Sequence, residues 1–189
     1  MEDNIKIIYD IFKLDEALAD HSERVAIMAS QFFLDKDIPK KYIEDVYNAA
    51  LLHDIAKFPG VIPDSIEGKY LKDFDRFYPA ISYETAKMLG FTDEEMLNLI
   101  LIHNENYNGS GTLYGLKAEQ INILAMIIHI CDYYDTCRMK GISHTAVTED
   151  IRKQSTIMFP KTIITPFIKM IIDDPDLQFK YNGEGIDIE

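Results

Sequence analysis

Ala49-Ala50-Leu51-Leu52-His53-Asp54-Ile55-Ala56-Lys57 is an apolar run that ends in a histidine and an aspartate side by side, with a lysine one turn further on. Read as a helix, Ile43, Val46, Tyr47, Ala50, His53, Asp54 and Lys57 recur at the three- and four-residue steps of one face. The polar pair therefore continues the stripe that periodicity assigns to the core. A buried carboxylate is costly unless a cation or hydrogen bonds compensate it. A neighbouring core group is one compensation. A metal ion is another, because neutral imidazole and carboxylate both suit hard to borderline cations.

The pattern recurs elsewhere. His21, Val25, Met28 and Phe32 step by four, three and four, so His21 begins a core-facing stripe. Met96, Leu99, Ile100 and His103 share a face, and a histidine again ends it. The segment 121–139 is apolar nearly all round, which predicts a central helix, and Ile121, Ala125, Ile128, Asp132 and Asp135 lie on one side of it. An arginine from another helix or a metal would be the partner of Asp132. One inward polar group is ordinary. Four segments carrying one each would need separate buried partners, whereas a single metal cluster satisfies His21, His53-Asp54, His103 and Asp132 together. Two histidines and two aspartates around one ion leave room for water, as in catalytic rather than structural sites. Asp54 has two oxygens and can bridge to a second ion served by His103.

Composition narrows the classes. The chain has 189 residues, 47% of them apolar, which suits one domain with a sizeable core. A formal net charge of −13 repels polyanions and excludes nucleic acid as the main partner. A small anionic substrate is admissible where bound cations reverse the local charge. Cys131 and Cys137 sit in one predicted helix, not on adjacent turns of one face, and imply no disulfide framework. No N-terminal stretch resembles a signal peptide, and the apolar run 121–131 is too short to span a membrane. The expectation is a cytoplasmic protein without a membrane partner.

Periodicity predicts an all-α fold, a helical bundle of roughly six to eight helices over residues 1–172, followed by an acidic stretch, 173–189, that is a tail or a small hairpin. The expected order begins with an amphipathic helix over 4–19 and a second helix, or its continuation, from His21. Asp37-Ile38-Pro39 breaks the pattern, and the next helix carries His53-Asp54 and stops at Pro59-Gly60. A polar, lid-like connection over 61–77 leads to a short helix opened by Tyr78-Pro79 and stopped by Gly90. Thr92 and Glu95 form a capping box for the helix ending at His103. Residues 105–115 are a Gly- and Asn-rich loop, of a length that is often functional. Pro160 and Pro166 punctuate the one or two helices within 143–172.

Taken together, His21, then His53-Asp54 with Lys57, then Asp132 resemble the H…HD…D signature of the HD-domain metal-dependent phosphohydrolases. The stretch His103-Asn104-Glu105-Asn106-Tyr107-Asn108-Gly109-Ser110-Gly111-Thr112-Leu113-Tyr114-Gly115-Leu116 is similar to the His-His-Glu-x-x-Asp-Gly-x-Gly-Tyr-Pro-x-Gly-Leu stretch of the HD-GYP branch. Asp132-Tyr133-Tyr134-Asp135 resembles its Asp-x-x-Asp segment, and the similarity runs from His21 to Phe167. The chain departs from the branch at several points. Gly111-Thr112-Leu113 replaces Gly-Tyr-Pro, Tyr78-Pro79 stands where the branch has His-Pro, Asn104 replaces the second histidine, and Ala17 falls where trinuclear members carry an acid.

The resemblance implies an HD-domain helical bundle and a metal-dependent phosphohydrolase that cleaves a phosphodiester or nucleotide, cyclic di-GMP included, with a metal-activated hydroxide. His21, His53, Asp54, His103 and Asp132 are the expected metal ligands, holding one or two divalent ions. Iron or manganese suits that donor set, and zinc, nickel or magnesium are the alternatives. Tyr78 (as a phenolate) and the Asn104 amide are weaker ligand candidates, and Glu105 and Asn108 are placed at the pocket lip. Asp54 and Lys57 are the expected catalytic residues, Lys57 neutralising the phosphoryl oxygens or else forming an ion pair. Arg138 either binds phosphate or is a solvated helix-end arginine. His129 is read as a core or pocket-edge histidine, and His144 as a surface one. The alternative from another class is a catalytically degenerate HD-GYP-like domain that binds a nucleotide or protein partner in signalling.

Overall fold

The computed structural model describes residues 2–62, 66 and 71–178. The apolar stripes form eight α-helices with no strand among the described residues: α1 (Glu2–Phe12), α2 (Glu16–Gln31), α3 (Lys40–Leu52), α4 (Phe74–Met88), α5 (Glu94–Ile102), α6 (Ile123–Met139), α7 (His144–Lys153) and α8 (Lys161–Asp173). This is the expected all-α bundle.

The helices α2, α3 and α6 form the centre, with α2 packed on both others. Ala26, Ala29, Ala49 and Ala50 are fully buried between them, and their small side chains let the helix axes approach. Val25, Met28, Val46, Ile127, Ile128 and Ile130 fill the space around those alanines. Each such Ile or Val contributes about 1.5–3 kcal/mol by leaving water. A platform this dry holds polar groups in place even where their own burial is unfavourable. Helix α5 packs on α3 and α4, and α7 on α6, which brings the ends of α3, α5 and α6 to one region.

Several boundaries differ from the periodicity reading. The predicted helix 4–19 is two helices, because Asp15 adopts an extended backbone and its carboxylate accepts the Leu18 N–H as an N-cap. Helix α3 stops at Leu52, so Pro59-Gly60 is not its end. His53 caps it, and Ile55–Lys57 is a separate 3-10 turn. Of the predicted stripe, Val46, Ala50, His53 and Asp54 are buried, Ile43 is half-buried, and Tyr47 and Lys57 are exposed. Helix α4 begins at Phe74, ahead of Tyr78-Pro79. Pro79 is tolerated inside it because only the bond to the Asp75 carbonyl is lost, and Asp75 is exposed to water. Pro166 lies inside α8 in the same way. Asp93, not Thr92, caps α5, accepting the N–H groups of Glu95 and Met96. After α8 a 3-10 turn occupies Pro175–Gln178. The tail-or-hairpin alternative for 179–189 lies outside the described residues, as do 63–65 and 67–70 of the lid-like connection. No helix among the described residues is long and apolar enough to cross a membrane.

Candidate metal centre

His53 and His103 reach the centre by the same device. Each is the C-cap residue of its helix, α3 and α5, and each turns its ring back onto a carbonyl of the last turn. His53 Nδ1 lies 2.6 Å from the Ala50 oxygen, and His103 Nδ1 lies 2.7 Å from the Ile100 oxygen. Helix ends leave such carbonyls without intrahelical partners. Satisfying them fixes Nδ1 as the donor and leaves each Nε2 facing inward. His21 comes from the second turn of α2, and its Nδ1 sits 2.8 Å from Asp135 Oδ2. The Asp135 carboxylate is itself held by Arg24, at 2.7 Å through Nε and 2.9 Å through Nη2.

The free ends converge. His21 Nε2 is 3.3 Å from Asp132 Oδ1 and 3.7 Å from Asp54 Oδ2. His53 Nε2 is 3.4 Å from Asp54 Oδ2 and 3.9 Å from Asp132 Oδ1. The His53 ring meets both other histidines edge-on, with centroids 5.3 Å from His21 and 5.1 Å from His103. Two overlapping ligand sets result, His21 with His53 and Asp54, and His53 with His103 and Asp132, each with donor atoms within 4.8 Å of one another. His53 Nε2 and Asp54 Oδ1 are buried and have no hydrogen-bond partner among the described residues. Leaving such atoms unsatisfied costs about 1–3 kcal/mol each. A divalent cation would satisfy both, so the donor set fits the metal that the sequence pattern implies.

Charge in the centre is finely matched. Burial opposes protonation of His21, but hydrogen bonds to Asp132, Asp135 and Asp54 outweigh it and push the ring up to about 11. Burial likewise opposes protonation of His53, and Asp54 and Asp132 overcome it, raising the ring to about 9. Burial alone would raise the Asp54 and Asp132 carboxyls, yet the facing histidines hold both well below the usual carboxylate range. His103 goes the other way. Burial first, and then the cationic His53 ring, push it down to about 3, so it is neutral.

Lys57 Nζ lies 2.7 Å from Asp54 Oδ2 and 4.0 Å above the Tyr78 ring, with its side chain 35% exposed. Tyr78 is buried, and burial together with Asp54 and Asp132 holds its hydroxyl well above 10. In the metal-free centre its hydroxyl faces His103 Nε2 at 3.4 Å. Asn104 directs its amide at Thr112. Glu105 is buried, but its carboxylate is spent on the backbone N–H groups of Leu113, Tyr114 and Leu116, so it shapes the loop from inside rather than lining a lip. Asn108 is exposed and accepts the Ser110 N–H. Arg138 is buried and donates to the Ile142 carbonyl beyond α6, so it is neither solvated nor placed as a phosphate ligand. His129 is buried against the Glu105 carbonyl at 3.1 Å. His144 is half-buried and faces the Tyr134 hydroxyl at 2.9 Å, so it is not a surface residue.

The sequence places Asp135 on the inward face beside Asp132 but does not show that it holds His21, and Arg24 was missed altogether. The Asp-x-x-Asp spacing was the available signal for Asp135, whereas nothing marks Arg24. Carboxylates that orient a ligating histidine are worth about 10–100-fold in metal affinity. Asp135→Asn should therefore weaken metal binding by about that factor, read by competitive titration against a chelator. Gly111 is the second sensitive point. A Cβ there would sit 2.5 Å from Glu105 Oε2 and 2.6 Å from Glu105 Cα. Gly111→Ala should cost about 1–3 kcal/mol, measured as a lower denaturation midpoint, because backbone rather than a flexible chain end blocks the methyl.

A third acidic group, Asp45, Asp93 and Glu95, lies away from this centre and already holds the Lys41 ammonium at 2.5, 3.0 and 3.4 Å.

Comparison with known proteins adds ancestry to this geometry. The profile of the family described as HD domain matches residues 6–152. A cyclic di-GMP phosphodiesterase of Pseudomonas aeruginosa is 30% identical over 127 residues, covering 64% of this chain and 30% of that protein. The cyclic di-GMP phosphodiesterase PdeB of Borreliella burgdorferi is 26% identical over 176 residues, covering 88% of this chain and 46% of that protein. This chain thus spans less than half the length of these curated relatives. Among solved structures, a cyclic GMP-AMP-specific phosphodiesterase of V. cholerae superposes with a TM-score of 0.66 at 16% identity, over 90% of this chain and 48% of that one. An HDG"Y"P protein from Bdellovibrio bacteriovorus gives 0.65 at 16% identity, over 82% of this chain and 52% of that one. Likeness at that identity speaks to the fold alone.

Proposed function

This chain belongs to the HD-domain family, and from that premise we propose that it is a metal-dependent phosphohydrolase acting on a phosphodiester or nucleotide, with a cyclic dinucleotide as the first candidate substrate. The observation that carries the reading is the convergence of His21, His53, Asp54 and Asp132 with two buried donor atoms left unsatisfied. Those residues would hold the cation, with His103 at the edge of the set. A divalent cation bound there supplies positive charge to phosphoryl oxygens and lowers the pKa of a coordinated water. Iron or manganese is favoured, because the donors are imidazole and carboxylate with no thiolate among them.

The chain's own groups do the rest. Asp135, braced by Arg24, keeps the His21 ring oriented. Lys57 reaches from the rim of the buried site to its floor, so an arriving phosphate can share its ammonium with Asp54. Lys57 and Arg24 are each paired to a carboxylate, so the positive charge that admits an anionic substrate despite the net charge of −13 would come from the bound cation. The substrate class rests on relatives named for cyclic di-GMP hydrolysis.

A binding-only domain is the second reading, and the phenol of Tyr78 against His103 Nε2 favours it. One experiment separates the two. Protein purified without chelators is assayed for metal content and for release of linear or mononucleotide products from cyclic di-GMP and cyclic GMP-AMP with manganese or ferrous iron. Metal-dependent product supports the hydrolase. Ligand-dependent stabilisation without product, in metal-loaded protein, would instead establish the binding domain.

A further inference from the structure

Tyr78 and Lys57 stand against two groups that a second ion would use, the His103 Nε2 nitrogen and the Asp54 Oδ2 oxygen. His103 has one ring nitrogen committed to the Ile100 carbonyl, so Nε2 is its only remaining donor. The Tyr78 hydroxyl lies 3.4 Å from that nitrogen, with the ring centroids 5.6 Å apart. An O–H facing an unprotonated imidazole nitrogen donates to it and takes up its lone pair. Tyr78 cannot easily swing away. It is 8% exposed, sits in α4 one residue before Pro79, and packs against Phe74 on its own helix. Its ring carries the Lys57 ammonium 4.0 Å from the centroid, and the same ammonium lies 2.7 Å from Asp54 Oδ2. A cation at His103 Nε2 would have to displace the phenol O–H, and one at Asp54 Oδ2 the Lys57 ammonium, which leaves Asp54 Oδ1 for a single ion.

We propose that Tyr78 is a plug that restricts this centre to a single metal ion, with His103 held outside the coordination sphere and Lys57 supplying the charge that a second ion would bring. The inference rests on the metal-centre reading above and deepens it. It makes Tyr78 a determinant of how many ions bind rather than a ligand. The single ion is then held by His21, His53, Asp54 and Asp132.

The test is metal stoichiometry and the electron paramagnetic resonance of manganese-loaded protein, neither of which depends on turnover. Wild type should bind one equivalent and give the six-line spectrum of an isolated ion. Tyr78→His, which swaps the phenol for a second imidazole, should bind two equivalents and show spin coupling. Tyr78→Phe, which removes only the O–H, keeps the ring beneath Lys57 and tests the contact without rebuilding the pocket. It should admit a weaker second equivalent. Circular dichroism of each variant establishes that it is folded. Two equivalents in wild type, or one equivalent in folded Tyr78→His and Tyr78→Phe alike, would overturn the plug while leaving the metal centre standing. No metal in wild type, even after anaerobic reconstitution, would overturn both.

Discussion

Asp54→Ala should abolish metal binding and lower phosphohydrolase turnover by about 10³-fold or more, since loss of the cation's charge stabilisation is worth about 4 kcal/mol or more. Asp54 is 2% exposed and, among the described residues, is the only carboxylate that meets His21, His53 and Lys57 together. No other group among the described residues can replace it on all three sides. The fold should survive, because Lys57 is partly exposed and can return its ammonium to water, while His21 keeps Asp132 and Asp135. Asp54→Asn is the matched control, keeping the volume and removing the charge. Elemental analysis and a turnover assay on the same preparations check the result. Retained metal with full turnover in folded Asp54→Ala would remove Asp54 from the mechanism.

Metal binding should release protons, close to two per ion near neutral pH. His21 and His53 are both protonated in the metal-free protein, with values of about 11 and about 9, and both must give up Nε2 protons to ligate. Two imidazolium charges are exchanged for one divalent cation, so the charge facing Asp54, Asp132 and Asp135 barely changes. Apparent affinity should rise about tenfold per released proton per pH unit, up to about 100-fold per unit below pH 9. Calorimetric titrations in two buffers of different ionisation enthalpy count the protons directly. An affinity independent of pH between 6 and 8 would contradict the protonated, metal-free centre.

The same shifts set the pH dependence of metal-free stability, and their signs are opposite on the two sides. The raised His21 and His53 rings contribute stability that is complete below about 6.5 and is lost as pH rises through about 9 and then about 11. The depressed Asp54 and Asp132 carboxyls contribute stability present above 3.8 and lost in acid. His103, pushed down to about 3, costs stability progressively as pH falls below 6.5, because the unfolded chain takes the proton first. Chelated protein should therefore be most stable near pH 6.5, and metal should move the optimum upward.

The all-α class and the alignment of His21, His53, His103 and Asp132 with buried stripes were legible in the sequence. Helical periodicity is local, and it reports which face turns inward whatever the neighbours are. The helix ends were less so. Asp15 caps through one local hydrogen bond and Asp93 through two, and adjacent acids in the sequence offer the same chemistry. The roles of Glu105 and Arg138 could not be read either, because a buried charge reveals its task only through its partners. Glu105 satisfies three loop amides and Arg138 a carbonyl beyond its own helix. Sequence by itself thus established the inward register of His21, His53, Asp54 and His103. Folding alone brought Arg24 and His21 onto Asp135, across separations of 111 and 114 residues, and laid Tyr78 against His103. Those contacts depend on how distant helices pack, and packing is decided by shape complementarity between faces that no local pattern records.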